Sequence, residues 1–230
     1  MSLCKRRDMD VALQVRDMFP FGNVIFRQSR SDMLPEATWE GRIMSDALKI
    51  IGAHGERREN DFYPTPPECT VALLNFLEER FLIRKSDVIW EPACGSFAMV
   101  DVMKQRGYHV IGTDIEQGQD YLTFDLKEEH DWIITNPPFC LAKEFIERST
   151  EKNRPFAMLL KSQYWHLAKR RRLFFENQPA YILPLTWRPD FSGKGASMMD
   201  MIWCVWIGKS NNTQYIPLEK PKKKGNLWKT

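Results

Sequence analysis

Asn136-Pro137-Pro138-Phe139 sets two hydrogen-bond acceptors and an aromatic ring within four residues, directly after the apolar run Trp132-Ile133-Ile134. That run predicts a buried strand, so the tetrapeptide falls at its C-terminal end, where open α/β sheets form their ligand crevice. The Asn136 side-chain oxygen and the Pro137 carbonyl can each accept a hydrogen from an NH2 group. Proline stiffens the loop and brings no N–H of its own. Phe139 offers a ring on which a planar partner, such as a flipped base, can stack. Asn-Pro and Pro-Pro are also common turn formers, so taken alone the same residues read equally well as a strand-ending turn.

A second group surrounds a small turn, Glu91-Pro92-Ala93-Cys94-Gly95-Ser96, after the apolar Val88-Ile89-Trp90. Such a turn lets a ligand approach the backbone near the next helix. Phe97 and Ala98 stand where a dinucleotide loop would carry glycines, which argues against phosphate binding. The charge of Glu91 suits a cationic ligand better. Asp114 ends the next strand, where a carboxylate can take both ribose hydroxyls; a helix cap is the alternative. Asp120-Tyr121-Leu122 follows shortly. Upstream, Phe62-Tyr63-Pro64-Thr65-Pro66 opens a helix carrying Val71, Leu74 and Leu77, a place where proline is favoured.

Lys169-Arg170-Arg171-Arg172 is a tight cationic run, and Lys220 with Lys222-Lys223-Lys224 forms another. Both suit phosphate contacts, or a charged helix face and a solubilising tail. The net charge of +3 does not by itself identify a nucleic-acid binder. Five scattered cysteines (Cys4, Cys69, Cys94, Cys140 and Cys204) include no C-x-x-C pair, which argues against a disulfide framework or a zinc site. His54, His109, His130 and His166 show no ligand spacing. No apolar run reaches the roughly 20 residues of a membrane span, and the N-terminus lacks a signal-peptide core. A soluble, cytoplasmic protein is expected.

These residues need a frame. Trp39, Ile43, Met44, Ala47, Ile50 and Ile51 recur at helical spacing behind Pro35, ending near Gly52. Residues 55–60 form a polar connector. From Asp61, strand and helix patterns alternate: strands at Val88–Trp90, His109–Thr113, Trp132–Thr135, Phe156–Leu160, Tyr181–Leu183 and Met201–Ile207, with helices around Met99–Met103 and Leu141–Ser149 and a basic helix after the fourth strand. Alternation of this kind predicts a Rossmann-like α/β fold, a mostly parallel sheet with helices on both faces and a β-rich C-terminal end. The expected division is a helical extension over 1–60, a catalytic domain over 61–210 and a basic tail over 211–230.

Taken in order, the pieces from about Asp61 to Lys209 resemble S-adenosylmethionine-dependent amino-methyltransferases, specifically compact DNA adenine-N6 methyltransferases of phages and prophages. The resemblance implies that Tyr63 to Pro66, including Thr65, packs against the cofactor's methionine end. It implies that Glu91, Pro92, Ala93, Cys94 and Gly95 form the cofactor loop. Asp114 and Ile115 would hold ribose and adenine, and Asp120-Tyr121 would contact the adenine amino group. Asn136 to Phe139 matches the family's catalytic [D/N/S]-P-P-[Y/F/W] motif without a mismatch. Trp187, Arg188 and Phe191 belong to an element similar to one that lines the target-base pocket. Phe97 departs from the pattern, since related enzymes usually carry a second glycine there. S-adenosylmethionine is the implied cofactor and DNA the implied partner, with no metal.

Two other readings compete. One is amino-methyl transfer to cytosine N4, RNA adenine or a protein glutamine. The other is a catalytically silent nucleic-acid-binding module of the same fold. No long target-recognition insertion is evident, so base reading would fall to Gln163–His166, Ser192–Ser197 or the N-terminal extension.

Overall fold

A computed structural model describes residues 64–193, 195 and 199–223. The helix expected behind Pro35, the connector, Tyr63 and Lys224 lie outside the described residues.

Among the described residues seven strands form one sheet: β1 (Val88–Glu91), β2 (His109–Gly112), β3 (Trp132–Thr135), β4 (Phe156–Lys161), β5 (Tyr181–Pro184), β6 (Met201–Trp206) and β7 (Gln214–Tyr215). Their order is β2-β1-β3-β4-β6-β5-β7. The pairs β1–β2, β1–β3, β3–β4 and β5–β7 are parallel, and only β6 runs against its neighbours β4 and β5. The mostly parallel α/β sheet read from the sequence is therefore the observed architecture. The chain leaves β1 towards β2 on one side and returns to β3 on the other. A sheet opens its crevice at such a reversal, beyond the C-terminal strand ends.

The helices are α1 (Pro67–Glu79), α2 (Ala98–Gln105), α3 (Ala142–Glu151) and α4 (Arg171–Glu176). Strand residues alternate between two cores. Ala157, Leu159, Trp203 and Val205 join Leu73, Leu77, Met99 and Met103 of α1 and α2. Met158, Leu160, Cys204 and Trp206 join Phe145, Ile146 and Leu173 of α3 and α4. With both faces covered, central strands are apolar at every position. That is why β6 reads as an unbroken apolar run. Full burial contributes roughly 1.5–3 kcal/mol per large side chain, and Trp203 adds a hydrogen bond from its indole nitrogen to the Cys69 carbonyl at 2.9 Å.

The expected tail beyond residue 210 differs. β7 pairs with β5, Leu185 bridges to Leu218, and Leu218 is buried in the core on the α1–α2 side. A two-residue strand with exposed side chains leaves little periodicity to detect. The expected basic helix is a 3-10 turn at Ala168–Arg170 followed by the six-residue α4. Cys69, Cys94 and Cys204 are free and buried. No helix among the described residues is long and apolar enough to cross a membrane.

Candidate active site

The C-terminal ends of β1, β2 and β3 gather the candidate residues on one edge. Glu91 ends β1 and is 2% exposed. Its Oε2 is buried without a hydrogen-bond partner. Burial, and then the charge of Asp114, pushes its carboxyl well above the ordinary range.

Asp114 acts first as a structural clamp. Its Oδ2 accepts from the Gly95 N–H at 2.8 Å and its Oδ1 from the Glu116 N–H at 3.0 Å. The carboxylate so caps the 3-10 turn Ile115–Gln117 and ties it to the loop Pro92–Gly95. Two further bonds fasten that loop, Thr113 N–H to the Glu91 carbonyl (2.9 Å) and Cys94 N–H to the Thr113 carbonyl (3.0 Å). The Trp90 indole N–H reaches Thr113 Oγ1 at 2.9 Å. Pro92 is buried and Ala93 half-buried. Ile115, by contrast, is exposed beside Asp114.

Phe97 occupies the helix cap before α2 at φ 64°, a left-handed conformation that favours glycine. A Cβ on Gly112 would meet Val100, Cys94 and the Phe97 ring at 3.1–3.2 Å. The Phe97 ring therefore packs where the β2 backbone must stay bare.

Asp120 is half-buried, its Oδ1 accepting from the Leu122 N–H at 3.0 Å. The Tyr121 side chain lies in the core. Its ring packs against Trp90 and Phe145, its hydroxyl pairs with Ser149 Oγ at 2.6 Å, and burial raises its pKa to about 12. Asp120 is the member of this pair left closer to the surface.

After β3, the Asn136 Nδ2 donates to Thr65 Oγ1 at 3.0 Å. Asn136 Oδ1 is buried and receives no hydrogen bond. Pro137 is buried and Pro138 half-buried. Phe139 begins a 3-10 turn and is half-buried, with the Lys161 ammonium 4.3 Å from its ring centroid. The sequence gives Lys161 one signal, a lone cation ending an otherwise apolar strand. Thr65 comes from just before α1 and is 5% exposed, so its hydroxyl faces Asn136 across 71 residues of chain.

The loop after β5 shares this edge. Phe191 is buried in the core and Trp187 packs against it, its indole nitrogen buried without an acceptor. Arg188 pairs with Asp200 at 2.8 Å. Asp190 accepts from Ser192 and Gly195, which shapes the loop. The cationic run is divided in its commitments. Arg170 lies 3.5 Å above the Tyr164 ring, Arg171 5.0 Å from that of Phe175, and Arg172 pairs with Glu176 at 2.6 Å. Lys169 is exposed. Among the described residues no group of three or more His, Cys, Asp or Glu could hold a metal.

Comparison with solved structures finds the same fold in S-adenosylmethionine-dependent methyltransferases of low sequence identity. The chain is similar to a Listeria monocytogenes protein assigned to the class I S-adenosylmethionine-dependent methyltransferases, at 15% identity and a TM-score of 0.53 over 80% of this chain and 74% of that one. The methyltransferase subunit of a Streptococcus thermophilus type I restriction-modification system gives 14% and 0.53. The type IIG restriction endonuclease BpuSI gives 15% and 0.53. The matches cover 84% of this chain and 55% of the subunit, and 78% of this chain and 28% of the endonuclease. No protein-family model and no curated protein matches the sequence.

Proposed function

We propose that this chain is an S-adenosylmethionine-dependent DNA methyltransferase acting on the N6 amine of adenine. The observation that carries the proposal is Asn136 Oδ1, a buried acceptor with no donor, next to Pro137 at the end of β3. A buried unpaired acceptor costs about 1–3 kcal/mol. A substrate NH2 that reaches it as the pocket opens around a flipped base repays that cost. Asn136 and the Pro137 carbonyl then draw the amine out of conjugation with its ring and fix its direction, which is catalysis by orientation and preorganised electrostatics. Phe139 supplies the stacking face.

The cofactor fits the residues present. Glu91, with its unpartnered oxygen, suits a cationic group; Asp114 suits ribose hydroxyls; exposed Ile115 suits a planar ring. When bound, S-adenosylmethionine supplies an activated methyl group, so the chain itself need provide no metal or covalent nucleophile. Exposed Lys169 and Arg171 lie after β4, on the same side as the pocket, and suit the phosphates of DNA. The similar Streptococcus thermophilus protein is the methyltransferase subunit of a type I restriction-modification system, which agrees with a DNA substrate.

The test is transfer of labelled methyl from S-adenosylmethionine to DNA, RNA and peptide, followed by nucleoside analysis. N6-methyladenine from DNA is expected. Asn136→Ala should lose about 10²–10³-fold in turnover while remaining folded and binding cofactor. Label in N4-methylcytosine, RNA or peptide would reassign the substrate, and full activity in Asn136→Ala would remove the mechanism.

A further inference from the structure

Leu167 is 47% exposed and joins neither core. An apolar side chain left in water gains nothing from the fold, yet the backbone that carries it is held firmly. Its carbonyl accepts from the Arg170 N–H at 2.8 Å, so Leu167 stands at the head of the cationic 3-10 turn Ala168–Arg170. Before it, Tyr164 is buried, and the Trp165 indole N–H reaches Cys204 Sγ at 3.3 Å. The Trp165 ring packs edge-on against those of Tyr164 and Phe174, with centroids 4.8 and 5.1 Å apart. Leu167 is therefore an apolar point fixed in a charged surface, followed closely by exposed Lys169 and Arg171.

The chain ties this point to the candidate site. β4 pairs with β3, and Lys161 at its end holds its ammonium 4.3 Å from the Phe139 ring centroid. The 3-10 turn Ser162–His166 leads from Lys161 to Leu167. At about 2 Å per residue it spans roughly 10 Å, the rise of about three base pairs. A duplex that gives up a base is left with an unstacked gap, and apolar side chains are wedges suited to enter between bases. We propose that Leu167 enters the duplex in place of the extruded base while Lys169 and Arg171 hold the flanking phosphates. This rests on the reading of Asn136 to Phe139 as the pocket for a flipped base. The cations select DNA as the occupant, and a single leucine matches a gap one base wide, whereas a protein partner would need about 800 Å² of surface.

The wedge is measurable without methyl transfer. The probe is a duplex carrying one abasic site, compared with the same duplex intact, because the abasic site offers the gap without the cost of extruding a base. The parent should bind the abasic duplex about tenfold more tightly. Leu167→Ala should bind the two alike, and Leu167→Met should keep the preference. Phe81 is 90% exposed on the connection that enters β1, so Phe81→Ala removes an exposed apolar side chain elsewhere and should behave as the parent. Equal affinity of the parent for both duplexes overturns the proposal, and so does a preference that survives in Leu167→Ala.

A second measurement reads the consequence for the reaction. At saturating S-adenosylmethionine, transfer is compared on one DNA in its native and heat-denatured forms. Leu167→Ala should lose about tenfold on the duplex and stay within about twofold of the parent on the separated strands, where no gap has to be filled. An equal loss on both forms would place Leu167 in the pocket itself and overturn the wedge. If the parent methylates no DNA, but its abasic preference is present and vanishes in Leu167→Ala, the wedge stands and the methyl-transfer reading falls.

Discussion

One carboxylate joins two loops: Asp114 receives the Gly95 N–H at 2.8 Å on one oxygen and the Glu116 N–H at 3.0 Å on the other. The turn after β1 and the turn after β2 are consequently one mechanical unit. A ligand touching either feels the conformation of both.

Asp114→Ala should therefore do two things at once. Loss of the cap should cost about 1–2 kcal/mol of stability, visible as a lower melting temperature. Cofactor affinity should drop at least tenfold, with turnover at saturating cofactor changed much less. Equilibrium titration beside thermal melting separates the effects. A lower melting temperature with an unchanged dissociation constant would reduce Asp114 to a cap.

Glu91 supplies a pH dependence with a definite sign. Burial, aided by the charge of Asp114, raises its folded pKa above the unfolded value of about 4.3. The native state binds the proton more tightly, so stability falls as pH rises from the unfolded value through the folded one. Glu91→Gln should be more stable than the parent above that window and equal to it below. A cationic ligand favours the ionised carboxyl. Affinity of the parent for S-adenosylmethionine should accordingly rise with pH through the same window, while the glutamine variant stays flat. Parallel pH profiles for the two proteins would break the link to Glu91.

Phe97 sits at φ 64° with its ring against Gly112. A left-handed non-glycine residue is strained by about 1–2 kcal/mol. Phe97→Gly loses the ring but relieves that strain, whereas Phe97→Ala loses the ring and keeps it. The glycine variant should be more stable than the alanine variant by about 1 kcal/mol, the reverse of their order within a helix. Chemical denaturation of both proteins gives the comparison. An alanine variant as stable as the glycine one would mean that the backbone carries no strain there.

Much of the frame is legible in the sequence, because a strand covered on both faces must be apolar at each position. Trp132–Ile134 and Met201–Trp206 announce themselves by that pattern. β7 does not, since its two exposed residues are held by β5 backbone hydrogen bonds to which any side chain is indifferent. Within the site, Asn136 and Asp114 are legible through their place at strand ends. The Thr65–Asn136 bond is not, because nothing local in either segment records a partner 71 residues away. Tyr121 illustrates a different difficulty. Its neighbourhood resembles a cofactor-binding element, yet its large ring is satisfied by Trp90 and Phe145 in the core. Phe97 leaves only an indirect mark in the sequence, since nothing local to it records the positive φ that the structure shows.

The cationic run yields a prediction that discriminates among its members. Arg170 is stacked on Tyr164 and Arg172 is paired with Glu176, whereas Lys169 and Arg171 are exposed without an ion pair among the described residues. A phosphate contact positions DNA without reading its sequence, and each one lost lowers the slope of log affinity against log salt by about 0.9. Lys169→Gln with Arg171→Gln should therefore weaken binding to all duplexes alike and flatten the slope by about two units. Arg172→Gln should leave the slope near the parent's. Arg170→Gln should lower the melting temperature instead, because it removes a guanidinium packed on a buried ring. Salt titrations of DNA binding across these variants decide the matter. An unaltered slope in the Lys169 and Arg171 double variant would make this run a solvated face and send the DNA to another surface.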